Sequence, residues 1–274
     1  MNWLESLLYG FVSGITEFLP ISSFAHKQLL FKMLDVGGAD PLQSLLVHIA
    51  LIAAVLTGCR STIEQFYRAK RTYRKNHSRM HGSNSLLELR FLQNAILPML
   101  ISYFVLAYFI PIKATLVLIA VFSFLNFLIL MFQSRMMQGN KDERIMSVYD
   151  SFIIGLSGSL SALPGISRIC TMLTVATQRG IDKQKAINWV VLLSIPMLAM
   201  LAAIDVFHLV TASGAVAVSG NVIGYILSTV VAYISGYLGV LLMKSYAYRK
   251  DISDFAYYSF GVMIFTLFLY LTVV

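Results

Sequence analysis

The chain contains six long apolar stretches that carry few or no charged residues. A helix needs about 20 apolar residues to cross the hydrocarbon core of a bilayer, and most of these stretches approach that length. The composition agrees, because 58% of the residues are hydrophobic and 12% are charged, whereas soluble domains are about 45–50% apolar and about 25% charged. The sequence therefore predicts an all-α polytopic membrane protein. The stretches lie near residues 43–58, 91–110, 114–132, 186–204, 221–243 and 255–273.

The charge balance and the cysteines argue against several other classes. The formal net charge is +8, which in a soluble protein would suggest a nucleic-acid partner. In a chain this apolar, basic cytoplasmic segments are the simpler source of the charge, so no nucleic-acid partner is expected. Cys59 and Cys170 lie far apart and match no CxxC or Cys/His spacing. A disulfide framework or a zinc site is therefore not expected.

Lysine and arginine residues assign the two sides of the membrane. Seventeen of the 21 fall in four segments, and the positive-inside rule places such segments in the cytoplasm. The longest segment is interpreted as a basic cytoplasmic loop, and its basic run, 68–79, as a solvated stretch that faces anionic lipid headgroups. The four segments are 60–90, 133–149, 179–185 and 244–250.

Two further apolar segments, 3–34 and 150–178, do not have the pattern of simple spans. Each is broken near its middle by a proline and a polar cluster, FLPISSFAH in the first and ALPGISRIC in the second. With the basic segments in the cytoplasm, the first broken segment must enter and leave the membrane from outside, and the second must do so from the cytoplasm. Both are therefore predicted to be re-entrant helical hairpins.

Each predicted hairpin precedes three spans, and the two sets run in opposite directions. The chain, 1–274, is thus predicted to be a single membrane domain of two inverted repeats, 1–135 and 145–274. Paired, proline-interrupted segments in two inverted halves point to a binding site near the membrane midplane. Irregular backbone is tolerated at that depth only where it is buried in protein or lines a wet cavity, so the two breaks are expected to meet.

The residues at the two breaks suit an anion. A helix that begins inside the membrane presents free N–H groups and the positive end of its dipole, and such ends bind phosphate or carboxylate. Ser22, Ser23 and Ser167 add hydroxyl donors, and Arg168 adds a planar guanidinium suited to bidentate phosphate contact. An ionisable residue inside the membrane is costly and indicates a functional site.

Several of these residues have more than one interpretation. Glu17 can hold a divalent cation, act as a base, or form an ion pair with Arg168 that only stabilises the fold. His26 can carry protons, attack phosphorus, or be a hydrogen-bonded residue of the helix bundle. The serines can be helix caps. His48 and Asn126, both inside apolar spans, are interpreted as structural residues.

TEFLPISSFAH, residues 16–26, resembles the TEFLPVSSTGH segment of the undecaprenyl-diphosphate phosphatase family associated with bacitracin resistance. PGISR, residues 164–168, resembles the start of that family's PGxSRSGxT segment, and the resemblance extends over essentially the whole chain. It implies a multi-pass hydrolase of the bacterial inner membrane that removes the terminal phosphate of a polyprenyl diphosphate and so recycles the lipid carrier of peptidoglycan and cell-wall synthesis. It also implies a site among membrane lipids that faces the extracytoplasmic side and uses a divalent metal, Mg²⁺ or Ca²⁺. A homodimer is left open.

The resemblance assigns site roles to this chain by position. Glu17 matches the second glutamate of the family's ExxxE motif, where it would bind metal or act as a base. The residues expected to be catalytic are Glu17, Ser23, His26 and Arg168. The residues expected to bind the substrate phosphates are Ser22, Ser23, Gly165, Ser167, Arg168 and Thr171.

The chain also departs from the family pattern. Ser13 stands where the first glutamate of ExxxE would be, so a metal on Glu17 would need a water held by Ser13 in place of a carboxylate. Phe24 and Ala25 replace Thr-Gly, and Thr171 lies next to the motif's threonine position, not at it. A divalent cation that faces a diphosphate wants several oxygen ligands, so metal binding is expected to be weakened.

The sequence leaves three functions open. The favoured one is a polyprenyl-diphosphate phosphatase. The second is a catalytically weakened or inactive relative that transports, flips or binds polyprenyl phosphate or another anionic lipid, for which inverted repeats would supply alternating access. The third is an unrelated transporter that takes up a small water-soluble anion without any dependence on lipid.

Overall fold

The computed structural model is built of α-helices. It describes residues 1–75, 84–110, 112–136, 139–141, 145–211, 222–246 and 252–273. Within these residues there are helices and the short 3₁₀ turn Ser159–Ala162, but no β-strand. The helices are α1 (Trp3–Glu17), α2 (Ser23–Met33), α3 (Pro41–Gly58), α4 (Arg60–Lys75), α5 (Asn84–Phe109), α6 (Leu116–Ser134), α7 (Val148–Gly158), α8 (Arg168–Gln178), α9 (Lys183–Leu192), α10 (Ser194–Thr211), α11 (Val222–Ser245) and α12 (Ser253–Val273).

Six helical segments in the described part of the chain are long and apolar enough to cross a membrane, which confirms the number predicted from the sequence. They are α3, α5, α6, the continuous pair α9 and α10, α11, and α12. Large apolar side chains such as Leu97, Phe132 and Leu238 are exposed on these helices, as expected where a helix faces lipid. The chain is therefore an all-α, multi-pass membrane protein.

The prediction of a loop over the basic segment was wrong for residues 60–75, which form α4. Arg60 donates a hydrogen bond from Nε to Glu64 at 2.7 Å, and Arg68 lies 3.5 Å from the same carboxylate. Both pairs have the i, i+4 spacing that stabilises an exposed helix by a few tenths of a kcal/mol per pair. The rest of the predicted loop divides between 76–83, which lie outside the described residues, and the first turns of α5.

Each broken segment forms two helices joined by an irregular turn. In the first segment, Ser22 caps α2 by accepting a hydrogen bond from the backbone N–H of Ala25 at 3.3 Å. In the second, Ser167 caps α8 by accepting one from the N–H of Cys170 at 3.3 Å. Both serines are thus helix caps, which agrees with one of the interpretations of the sequence. The re-entrant course of these segments and the inverted repeat stay predictions.

Glycine residues allow the first helix of each broken segment to pack closely against a span. α1 packs along α11, and α7 packs along α5. A Cβ atom added to Gly14 of α1 would lie 2.7 Å from the carbonyl oxygen of Ala232 in α11. A Cβ atom added to Gly155 of α7 would overlap the carbonyl oxygen of Ala95 in α5. Small residues at helix contacts in membranes permit this approach.

A buried carboxylate anchors the start of α7. Asp150 is fully buried and accepts hydrogen bonds from Nζ of Lys141 at 2.5 Å and from Nε of Arg179 at 2.6 Å. The pKa of Asp150 is lowered, because burial, which raises it, is outweighed by these hydrogen bonds and by those from Ser147. The cluster ties the segment before α7 to the end of α8.

Candidate functional site

The two broken segments meet in the structure, as the sequence predicted. The backbone N–H of Gly165 donates to Oγ of Ser22 at 3.2 Å, and Oγ of Ser167 donates to the carbonyl of Leu19 at 3.2 Å. Gly165 has φ +126°, a conformation that favours glycine. The starts of α2 and α8 are therefore held beside each other.

Asn126 of α6 joins the two breaks. Its Nδ2 donates to the carbonyl of Pro20 at 3.1 Å and to Oγ of Ser259 at 3.0 Å. Its Oδ1 accepts from the backbone N–H of Ser167 at 3.0 Å. Asn126 is almost fully buried, so these bonds satisfy groups that would otherwise be costly to bury. The interpretation of Asn126 as an interhelical hydrogen-bonding residue is confirmed.

A cavity of about 230 Å³ lies beside the joined breaks. It is lined by five of the residues that the sequence singled out, together with residues from α3, α5 and α10. The predicted residues in its wall are Glu17, Ser22, Ser23, Ser167 and Arg168. The other residues in its wall are Ile21, Phe24, Lys27, His48, Tyr103, Ser161, Ile166, Met197 and Leu201.

Arg168 and Ser23 carry unmet hydrogen-bonding groups in this cavity. Arg168, which is 6% exposed, donates from Nη2 to Oε1 of Glu17 and to Oγ of Ser194, each at 2.9 Å. Its Nε and the Oγ of Ser23 are buried and have no partner within the described part of the chain. A buried donor without a partner costs about 1–3 kcal/mol. Both groups belong to residues that line the same polar cavity.

The structure does not bring the remaining predicted residues into the wall of this cavity. The side chain of Thr171 donates to the carbonyls of Ser167 and Arg168 within α8. Gly165 contributes through its backbone bond to the break. Ser13 is buried on α1, and its Oγ has no hydrogen-bond partner among the described residues. The phosphate-binding role of Thr171 and a water on Ser13 stay predictions that this geometry does not support.

His26 lies on the far side of α2, where both of its ring nitrogens have partners. Nδ1 lies 2.6 Å from the carbonyl of Ser22, and Nε2 lies 2.8 Å from the hydroxyl of Tyr258. A carbonyl oxygen only accepts hydrogen bonds, so Nδ1 is the donor. In a neutral ring the lone pair is then on Nε2, and it faces the hydroxyl of Tyr258. His26 lines an apolar groove with Val12 of α1, Leu29 of α2 and residues of α12. The catalytic role of His26 stays a prediction.

Three polar residues of the cavity were missed or set aside in the sequence. Lys27 adds a second cation beside Arg168, and Tyr103 adds a hydroxyl from α5. His48, interpreted as structural, lies in the cavity wall and holds the carboxylate of Asp205 at 2.6 Å. The spacing of Lys27 four residues after Ser23 on α2 was the one available signal, since residues four apart share a helix face.

A larger cavity of about 780 Å³ adjoins this one. The two cavities share Phe24 and Lys27 in their walls. Lys32, Thr115 and Tyr270 are among the other residues that line the larger cavity. The polar site thus lies next to a wider vestibule at the ends of α2, α6 and α12.

The described residues fit a divalent metal poorly. Glu17 is the one carboxylate in the described wall of the cavity, and it pairs with Arg168. Nor do the described ranges contain any group of three His, Cys, Asp or Glu side chains that could hold a metal ion. Mg²⁺ and Ca²⁺ take six or more oxygen ligands, usually with carboxylates among them. The expected metal stays a prediction for which this donor set is too small.

Comparison with known proteins gives a consistent match along the chain. The sequence model of the bacitracin resistance protein BacA matches residues 6–265. Undecaprenyl-diphosphatase 1 of Shouchella clausii is 27% identical over 96% of this chain and 95% of its own length. Undecaprenyl-diphosphatase 3 of Bacillus cereus is 28% identical over 99% of both chains. Undecaprenyl-diphosphatase of Methanococcus vannielii is 26% identical over 97% of this chain and 99% of its own.

Proposed function

Because this chain belongs to the bacitracin resistance protein BacA family, we propose that it is an undecaprenyl-diphosphatase. It hydrolyses the terminal phosphate of undecaprenyl diphosphate and leaves the monophosphate that carries cell-wall precursors. The observation that carries the proposal is the buried Arg168, whose unpartnered Nε shares a polar cavity with the unpartnered hydroxyl of Ser23. These donors suit a phosphate, which offers several acceptor oxygens.

The residues of the cavity divide the work of binding the diphosphate. Arg168 forms charge-assisted hydrogen bonds to phosphate oxygens, and Lys27 adds a second positive charge on the vestibule side. Glu17 holds the guanidinium in place through its 2.9 Å ion pair. Glu17 carries one negative charge, and Arg168 and Lys27 carry one positive charge each. Apart from His48, the described residues that line the cavity therefore have a formal charge of +1, which favours an anion.

The starts of two helices contribute to the same site. Ser22 and Ser167 lie in the cavity wall as the N-caps of α2 and α8. The first backbone N–H groups of a helix and its dipole favour a negative charge near that end. Neither feature forms a site without the buried arginine, but both strengthen the attraction of the cavity for phosphate.

The proposed site opens to the extracytoplasmic face of the bacterial inner membrane. The vestibule is lined by Lys32, Gly38, Thr115 and Tyr270, which lie at the ends of helices opposite to the basic segments. The positive-inside rule assigns the basic segments to the cytoplasm. This arrangement supports access for a lipid diphosphate whose headgroup is at the outer surface.

The inverted repeat is proposed together with this function. Exchanging α1 with α7, α2 with α8, α3 with α10, α5 with α11 and α6 with α12 maps the α1–α11 contact onto α7–α5 and the α1–α2 contact onto α7–α8. The same exchange leaves the α3–α10 and α6–α12 contacts unchanged. This correspondence supports two similarly packed halves that meet at the site.

The test is phosphate release from undecaprenyl diphosphate by the purified protein in detergent, with added Ca²⁺ or Mg²⁺ and with a chelator. Release by the wild-type protein and its loss in Arg168→Gln would support the proposal. A folded wild-type protein that binds the lipid but releases no phosphate under any of these conditions would refute it, and would favour a carrier or binder of polyprenyl phosphate.

A further inference from the structure

A histidine and an aspartate from two different spans form a pair beside the proposed phosphate site. His48 of α3 lines the 230 Å³ cavity together with Ser23 and Arg168. Its Nδ1 lies 2.6 Å from Oδ2 of Asp205 in α10. The two residues are 157 positions apart in the sequence, so the contact between α3 and α10 creates the pair.

The hydrogen bond to Asp205 determines which nitrogen of His48 is free to act. An ionised carboxylate only accepts hydrogen bonds, so Nδ1 must carry the proton, and in a neutral ring the lone pair is then on Nε2. Within the described part of the chain, Nε2 has no hydrogen-bond partner. The side chains of His48 and Asp205 are 10% and 14% exposed. A largely buried, oriented imidazole with a free lone pair has the form of a general base.

His26, the other histidine near the breaks, lacks these properties. Its Nδ1 donates to the Ser22 carbonyl, and its Nε2 is occupied by the hydroxyl of Tyr258. It lines the apolar groove between α2 and α12, not the cavity that contains Arg168. Of the two rings, His48 is therefore the one placed to exchange a proton with a group in the cavity.

Building on the proposed function, we propose that His48, oriented by Asp205, accepts the proton of the water that attacks the terminal phosphorus. The water oxygen forms a bond to that phosphorus while the bond from the phosphorus to the bridging oxygen breaks. The electron pair of the broken bond leaves with the lipid monophosphate, and one water proton moves to Nε2. Inorganic phosphate then departs, and the imidazolium releases its proton to solvent.

The two residues have different roles in this step. His48 would contact the attacking water and is the catalytic residue, whereas Asp205 acts through His48 and is a positioning residue. The other titratable groups in the cavity wall are Glu17, Lys27, Tyr103 and Arg168. Of these, Glu17 is already paired with Arg168, which leaves His48 as the candidate base.

The test measures kcat, KM and their pH dependence for the full-length protein with undecaprenyl diphosphate. His48→Gln keeps an amide donor for Asp205 but has no titrating nitrogen. We expect kcat to fall about 100-fold to 10,000-fold, the range for loss of a general base, with little change in KM. Asp205→Asn should lower kcat less, Asp205→Glu should restore part of the activity, and the double variant should be no slower than His48→Gln alone.

Controls separate the proposed step from damage to the fold. His208→Gln changes an exposed histidine one turn beyond Asp205 on α10 and should leave kcat within twofold of wild type. Thermal unfolding and binding of undecaprenyl monophosphate should be unchanged in His48→Gln. His48→Gln should lose the acidic limb of the kcat/KM profile, because the base is gone. If that variant does not fold, Asp205→Asn supplies the test, because His48 is still present and a displaced acidic limb is not expected from a structural defect.

Other outcomes overturn the inference. An active wild-type enzyme whose His48→Gln variant keeps kcat within threefold would refute it while leaving the proposed function standing. A His26→Gln variant that loses the acidic limb while His48→Gln keeps it would move the role to the other histidine. A wild-type protein that binds the lipid but releases no phosphate would refute the proposed function and, with it, this step.

Discussion

Replacing Arg168 by glutamine begins a test of whether this arginine only stabilises the fold through its ion pair or also binds phosphate. The substitution removes both the 2.9 Å bond to Glu17 and the buried Nε donor. It leaves a carboxylate whose side chain is 11% exposed without its counter-charge. Removing one partner of a buried pair costs about 3–5 kcal/mol. Since Glu17 borders a cavity that admits water, we expect a cost near the lower end, about 3 kcal/mol.

The matched double variant Glu17→Gln/Arg168→Gln distinguishes the two roles. Both charges are then gone, and replacing a buried pair completely is often close to neutral for stability. Ser194 loses the arginine but keeps its bond to the carbonyl of Val190 at 3.3 Å. We therefore expect thermal stability to return to near that of wild type. Phosphate binding should not return, because the guanidinium is still missing.

The expected loss of binding follows from the donors that are removed. One to two charge-assisted hydrogen bonds, at about 1.5–3 kcal/mol each, give a total of about 1.5–6 kcal/mol. This corresponds to roughly 10-fold to 20,000-fold weaker binding. Thermal unfolding and calorimetric binding of undecaprenyl monophosphate, both in detergent, measure the two quantities. A double variant that recovers stability and binding together would show that Arg168 acts only on the fold.

Three further predictions address other parts of the molecule. Lys27→Met should raise KM about fivefold with kcat retained, because a partly exposed cation contributes about 1 kcal/mol; steady-state kinetics measure this. Gly165→Ala should lower the free energy of unfolding by more than about 2 kcal/mol, as measured by thermal unfolding. The reason is that φ of residue 165 is +126° and the new Cβ would lie 2.6 Å from the backbone nitrogen of Ser123. The lowered pKa of Asp150 keeps its carboxylate ionised, so its stabilising contribution is present above its unfolded pKa of about 3.9 and is lost as pH falls through the lower folded value. Asp150→Asn should therefore cost about 2–3 kcal/mol at pH 7. In thermal unfolding, the melting temperature of this variant should fall less steeply at acidic pH than that of wild type.

Each of these predictions has a matched control. Lys32→Met lies in the vestibule but outside the smaller cavity, and an equal effect there would argue against a specific role for Lys27. Gly261→Ala places a Cβ in open space, so equal destabilisation would contradict the steric argument. Glu64→Gln removes exposed ion pairs and should leave the pH dependence unchanged; a shift as large as that of Asp150→Asn would count against the buried cluster.

The fold class and the number of spans were predictable because both depend on local properties of the sequence. Runs of about 20 apolar residues satisfy the length of a bilayer without reference to any other segment. The breaks were visible for the same reason, since proline and clustered serines act on their own backbone. α4 was missed because a basic run was interpreted only by charge, although Arg60, Glu64 and Arg68 have helical spacing.

The site divides in a similar way. The sequence singled out Ser22, Ser167 and Arg168, because an arginine beside capping serines at a helix break inside a membrane is costly unless it binds a charged partner. It did not show that both nitrogens of His26 are occupied, since Tyr258 lies 232 residues away. Nor did it show that Glu17 faces Arg168 with no second carboxylate in the described wall of the cavity.

The sequence alone therefore determined that the chain crosses a membrane, where it breaks, and that the breaks carry groups suited to an anion. Those properties follow from hydrophobicity, helix termination and charge, each of which acts within about 20 residues. The tertiary structure determined which polar groups share one cavity. His48 reaches Asp205 because α3 packs on α10, and Lys27 joins Arg168 because two helix starts are held together by Asn126. Contacts between residues more than 100 positions apart depend on how helices pack, and that packing leaves little signal in one sequence.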